Sequence, residues 1–274
     1  MITQHYGLIK TPFSNTKKTL LPRQEEILSI LKTHCSQGGL CIVAGEPGTG
    51  KSIIKDALIN YDSRNLTTAC IGRTLHTYSK IINILAKSFQ VPTKGSDLKC
   101  EEALIQQATK LHAQGRMQAI IIDDAHLMDI ETLRKLRLLL AEFPKNHNLI
   151  LFCQEDIFNK IQLTINEDLR SRITASEFLH RLCDEDICSF ILDQFDQCGL
   201  PHNAISEDAI ALIARASEGV LRNAIHLTIS SLIQTVQDQT HCITIHHVNT
   251  ALKQPHWRRF EQMVAKPINP QNAT

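Results

Sequence analysis

The 274-residue sequence predicts an α/β fold, a five-stranded parallel sheet with helices on both faces, followed by a small all-helical lid domain. Three observations carry this expectation. Short, almost continuous apolar runs alternate with amphipathic helical periods as far as Leu179, the pattern of strands buried on both faces. A glycine-rich turn directly follows the first of these runs. Beyond Leu179 only helical periods remain.

The elements follow in order. A polar and aromatic opening holds Tyr6-Gly7-Leu8 and Pro12-Phe13-Ser14, and Pro22 then starts a helix with Ile27, Leu28, Ile30 and Leu31 on its period. Gly38-Gly39 ends it. Leu40 to Ala44 reads as a buried strand, and a helix begins at Lys51. Thr67 to Gly72 is a second strand and Leu75 to Phe89 a helix; Glu101 to Gln114 is another helix, before a third strand at Ala119 to Asp123. Ile130 to Glu142 is helical, Leu149 to Cys153 is the fourth strand and Thr174 to Leu179 the fifth. Helical periods then cover 184–198, 206–217, 219–236 and 246–253. The expected divisions are an N-terminal segment, 1–37, packing on the core; an α/β domain, 38–179; a helical lid, 180–253; and a partly disordered tail, 254–274.

Composition narrows the function classes. With 29 Lys+Arg against 28 Asp+Glu, the formal charge of +1 argues against a strongly basic coat for nucleic acid, though not against a local patch. No apolar run is long enough to span a bilayer, and no charged-then-apolar leader opens the chain, so a cytoplasmic location is expected. The nine cysteines are scattered without a C-x-x-C pair, which speaks against a disulfide framework. His241, Cys242, His246 and His247 match no standard zinc spacing.

The chemistry sits in a few motifs. Gly45-Glu46-Pro47-Gly48-Thr49-Gly50-Lys51-Ser52, with Ile53 after it, is a complete G-x-x-x-x-G-K-[ST] between a strand and a helix. Such a loop turns backbone N–H groups around phosphates at a helix N-terminus. Lys51 is suited to the β- and γ-phosphates of ATP, and the Ser52 hydroxyl to Mg²⁺. Ala119-Ile-Ile-Ile-Asp123-Asp124 puts two acids at the C-terminal end of a strand, where open α/β sheets bind ligands. Asp123 suits the metal shell and Asp124 the attacking water; the plainer alternative is that the pair caps the next helix. Gln154, after the fourth strand, could reach the γ-phosphate or simply be a loop residue. Arg170 and Arg172, before the fifth strand, could enter a neighbouring subunit's site or form surface ion pairs. Arg222 starts a lid helix and could read the γ-phosphate.

These residues resemble those of the AAA+ ATPases. Gly45–Ser52 looks like Walker A, Ile120–Asp124 like Walker B, Gln154 like sensor 1, Leu169–Ile173 like the arginine-finger segment and Gly219–Asn223 like sensor 2. Within that superfamily the chain is similar to the ExeA-like ATPases of the general secretion pathway. That likeness rests on Tyr6-Gly7-Leu8, Pro12-Phe13-Ser14, Pro22-Arg23, Asp123-Asp124-Ala125-His126, Cys153-Gln154-Glu155 and Leu169-Arg-Ser-Arg-Ile173. The same branch is similar to transposition helpers of the MuB, TnsC and IstB kinds. The resemblance implies ATP and Mg²⁺ as ligands, hydrolysis of ATP, and a ring or filament of identical subunits. It also implies double-stranded DNA and a transposase as partners, or else a protein of a secretion complex. The membrane segment and wall-binding extension typical of secretion members are not in this sequence, which favours the transposition helper. A small-molecule kinase and a non-hydrolysing switch are the readings from other classes. Two departures bear on rate and on sensor 2: Asp124 stands where the group has Glu, and Leu221 stands where it often has Pro. By resemblance to initiator-type sequences, Arg172 is the better finger and Arg170 the second. The best DNA-facing patch is Lys253 to Arg259, with Trp257 and Phe260 beside Arg258 and Arg259.

Overall fold

A computed structural model describes residues 2–8, 10–14, 20–62, 64–72, 77–92 and 95–257 of the chain. Five parallel strands, β1 (Gly39–Gly45), β2 (Leu66–Ile71), β3 (Met117–Ile122), β4 (Asn148–Cys153) and β5 (Ile173–Leu179), form one sheet in the order β2-β3-β4-β1-β5. The apolar runs read from the sequence supply these strands because both faces are covered. Around them lie α2 (Pro22–Gln37), α3 (Lys51–Ile59), α4 (Tyr78–Ser88), α5 (Asp97–Ala113) and α6 (Ile130–Ala141). The start of the α4 period, Leu75 and His76, lies outside the described residues.

Side chains alternate across the sheet and divide the core in two. Ile42, Ile120, Ile122 and Leu151 face one way, among Ile82 and Leu85 of α4, Leu104 of α5 and Leu136 of α6. Val43, Ile121, Ile150 and Phe152 face the other way, among Ile27 and Leu31 of α2 and Ile54 and Leu58 of α3. The register pairs Ile42 with Leu151 and Val43 with Phe152, so each face is built from residues level with one another. A one-residue slip would turn every one of these side chains to the wrong face.

Two short helices, α7 (Asp156–Ile161) and α8 (Glu167–Arg170), connect β4 to β5. The helical region contains α9 (Asp184–Cys198), α10 (Glu207–Ser217), α11 (Leu221–Gln237) and α12 (Ile245–Leu252). The chain divides into two compact units: 17–180, which holds the sheet, and 1–16 together with 181–274.

Residues 1–37 contribute to both units. α2 packs on the sheet. α1 (Ile2–Tyr6) belongs with the helical unit. There Tyr6 Oη bonds Thr235 Oγ1 of α11 at 2.6 Å, and His5 Nε2 bonds Thr240 O at 2.8 Å. The His5 ring also stacks on His241, with centroids 4.4 Å apart. Among the described residues no helix is long and apolar enough to cross a membrane.

Candidate nucleotide site

Every strand of the sheet points the same way, so the ends of β3, β4 and β1 share one edge in that spatial order. Asp123 follows β3, Gln154 follows β4, and Gly45 to Ser52 lead from β1 into α3. Sequence and topology thus bring the loop, both acids and the glutamine to one edge.

The loop is shaped by its glycines. Gly48 and Gly50 have φ of +88° and +108°, a region that side chains disfavour. A Cβ on Gly45 would stand 2.6 Å from the Leu179 carbonyl oxygen, so the strand exit has no room for a larger residue. Thr49 closes the turn from within, its hydroxyl donating to Glu46 O at 2.9 Å. Lys51 is buried against the loop, its Nζ donating to Gly45 O at 2.6 Å and Glu46 O at 2.8 Å. Ser52, in the first turn of α3, is exposed.

Asp123 is held from three sides. Its N–H donates to Ile71 O (3.0 Å), its Oδ1 accepts the Asp124 N–H (3.1 Å), and its Oδ2 accepts Lys55 Nζ (2.5 Å). Burial lowers the Lys55 pKa and the Asp123 hydrogen bond and charge raise it; the net shift is upward, so Lys55 remains an ammonium. Asp124 is exposed in the left-handed region, at φ +50°, which Asp tolerates better than most residues. Asp124 stands at the N-cap position of the 3₁₀ turn Ala125–Leu127 without a side-chain cap bond, and the N-cap of α6 is Asp129, whose side chain accepts the Thr132 N–H at 3.3 Å. The oxygen donors of Ser52 and Asp123 suit a hard cation such as Mg²⁺.

Gln154 is tied to His126, whose role no local motif announces. The side-chain amide meets the ring nitrogen Nε2 of buried His126 at 2.9 Å, and the Gln154 backbone N–H lies 3.4 Å from Nδ1. The atom of Gln154 that meets the ring is its amide nitrogen, so the NH₂ donates to His126 Nε2. Lys55, a lysine one turn along an amphipathic helix, likewise has no distinctive signature in the sequence. Cys153, ending β4, is fully buried, and burial pushes its thiol up to about 12.

Arg172 lies elsewhere in the sheet unit. Arg172 immediately precedes β5, at the opposite edge of the sheet, where it borders a cavity of about 560 Å³ with Gly38, Arg137, His147 and Thr174. The seven residues of β1 separate the two edges by about 20 Å. Arg170 pairs with Glu167 at 3.4 Å, both exposed, which is the plainer of its two expected roles. Arg222 is exposed at the second position of α11. Of the Lys253–Arg259 patch, Arg258 and Arg259 lie outside the described residues, as does Phe260.

The five-stranded sheet, the phosphate-type loop and the acids after β3 define a P-loop α/β fold. Residues 33–161 match the family model described as "AAA domain". The chain is similar in structure to Cdc6p from Pyrobaculum aerophilum, with a TM-score of 0.76 and 19% identity over 95% of this chain and 75% of that one. It is also similar to the Aeropyrum pernix ORC1 protein in complex with DNA (0.68, 14%, 87% and 67%). A third similar structure is the Thermotoga maritima RuvB Holliday junction branch migration motor (0.58, 16%, 84% and 66%). Identities this low speak for the fold alone. The comparison with curated proteins gives no match.

Proposed function

We propose that the chain binds and hydrolyses ATP, assembles with copies of itself, and works on double-stranded DNA as a helper of transposition. One observation carries the ATPase reading: the loop Gly45–Ser52, Asp123, Asp124 and Gln154 share the C-terminal edge of one parallel sheet. The backbone N–H groups of the loop and the start of α3 cradle the phosphates. Lys51 leaves the loop carbonyls for the β- and γ-phosphates. Asp124 positions and polarises the attacking water, and Gln154 reaches the γ-phosphate. Ser52 and Asp123 would hold Mg²⁺, which would supply charge neutralisation at the phosphates.

Self-assembly is supported by the distance of Arg172 from the loop of its own chain. Leu163 and Ile165, 58% and 71% exposed in the segment leading to Arg172, are apolar residues suited to an interface. Arg222 is assigned to nucleotide sensing on its motif alone. The DNA reading draws on the resemblance to transposition helpers and on the DNA-bound ORC1 among the similar structures.

Phosphate release measured with and without duplex DNA tests the proposal. Lys51→Ala is expected to abolish it, and Asp124→Asn to reduce it at least about a hundredfold while nucleotide still binds. Release that survives Lys51→Ala would sink the ATPase reading. Electron microscopy with a slowly hydrolysed ATP analogue and DNA should show rings or filaments on DNA. Isolated monomers under those conditions would overturn the assembly.

A further inference from the structure

Lys55 brings to the nucleotide edge a positive charge that the hydrolytic reading does not use. It lies four residues after Lys51, one turn along α3 and therefore on the same helix face. Its Nζ reaches Asp123 Oδ2 at 2.5 Å, and the two side chains are only 15% and 16% exposed. The other oxygen, Oδ1, already accepts the Asp124 N–H. Both oxygens of the proposed metal-side carboxylate are thus engaged, one of them by a full positive charge. An ion pair this sheltered is screened less by salt than one on the surface.

We propose that Lys55 competes with the divalent cation for Asp123 and so sets the Mg²⁺ concentration at which the nucleotide site becomes competent. The inference rests on the ATPase reading above. A carboxylate already neutralised by an ammonium attracts a dication less than a bare one does, so Mg²⁺ has to displace Lys55. The flexible four-carbon stem of lysine allows that displacement without moving α3. At low free Mg²⁺ the ion pair holds Asp123; at high Mg²⁺ the cation takes the carboxylate and the ammonium swings away.

The test uses the full chain, the fluorescent nucleotide mant-ADP and a titration with MgCl₂, on wild type, Lys55→Met, Lys55→Gln and Lys55→Arg. Methionine keeps the stem without the charge, and glutamine serves as a second neutral variant if methionine disturbs the fold. The Mg²⁺ midpoint of the fluorescence change is expected to fall about three- to tenfold in the neutral variants, the weight of one partly buried ion pair. It should stay near the wild-type value in Lys55→Arg. Electron paramagnetic resonance of bound Mn²⁺ should show the same order of midpoints. An unchanged or raised midpoint in a neutral variant that still binds mant-ADP overturns the competition and leaves the ATPase reading intact. If wild type itself neither binds mant-ADP nor responds to Mg²⁺, the ATPase reading fails, and the competition fails with it.

Discussion

His126 does for Gln154 what the loop glycines do for the phosphates: it fixes where a donor points. The ring is buried between the turn after β3 and the end of β4, with one nitrogen for the Gln154 backbone and one for its side chain. Lys160 Nζ holds the His126 carbonyl at 2.5 Å and anchors the turn from the other side. His126 is thus a positioning residue that acts through Gln154. Removing the ring should leave nucleotide affinity within about twofold of wild type, while misplacing a group that acts on the γ-phosphate lowers turnover about ten- to a hundredfold. Single-turnover hydrolysis and nucleotide titration of His126→Ala separate the two quantities. Equal losses in both would make His126 merely structural. The difference between Lys51, which the sequence reveals, and His126, which it does not, is physical. A phosphate loop is written in eight consecutive residues, so its chemistry is local. The role of His126 depends on β3 and β4 lying side by side in a register that pairs Ile122 with Leu151. The Lys55–Asp123 pair, 68 positions apart in the chain, was hidden for the same reason.

At the scale of elements, the long helices and all five strands are legible because each buries a regular stripe or a continuous run. The failures are short. α7, α8 and α1 have six, four and five residues, less than two full turns, so no apolar period can accumulate in them. They exist because tertiary contacts hold them: Ile157, Ile161 and Leu169 are buried in the sheet's core. α6 shows the opposite case, an element whose start is fixed by one polar side chain. Asp129 accepts the Thr132 N–H and satisfies one donor that the first turn leaves unpaired. Asp129→Ala should destabilise the α/β unit by about 1 kcal/mol. In a thermal melt followed by circular dichroism that is a fall in Tm of about 2–4 °C. An unchanged melt would mean that the packing of Leu133, Leu136 and Leu140, rather than the cap, sets where α6 begins.

For the whole molecule, what matters is which residues one chain can bring to one nucleotide. Edge order collects Lys51, Ser52, Asp123, Asp124 and Gln154, but it sends Arg172 to the far edge, beside Gly38 and Thr174. A parallel sheet fixes that separation: β5 starts where β1 starts, pairing Ile173 with Leu40, so the residue before β5 cannot lie at the end of β1. If Arg172 takes part in hydrolysis, it acts on another copy of the chain. Two inactive variants should then repair each other. Lys51→Ala keeps its arginine and loses its nucleotide grip; Arg172→Ala keeps the grip and loses the arginine. Alone, each should be strongly impaired, because an arginine finger is worth about 10³–10⁵ in rate where one operates. Mixed in equal amounts, assemblies in which a Lys51→Ala copy presents Arg172 to an Arg172→Ala copy regain complete sites. Phosphate release from the mixture should therefore exceed the sum of the separate rates severalfold and grow with total protein concentration. A mixture that gives only that sum at every concentration would show that no site is shared. Arg172 would then be a surface arginine like Arg170, and the catalytic unit would be the single chain.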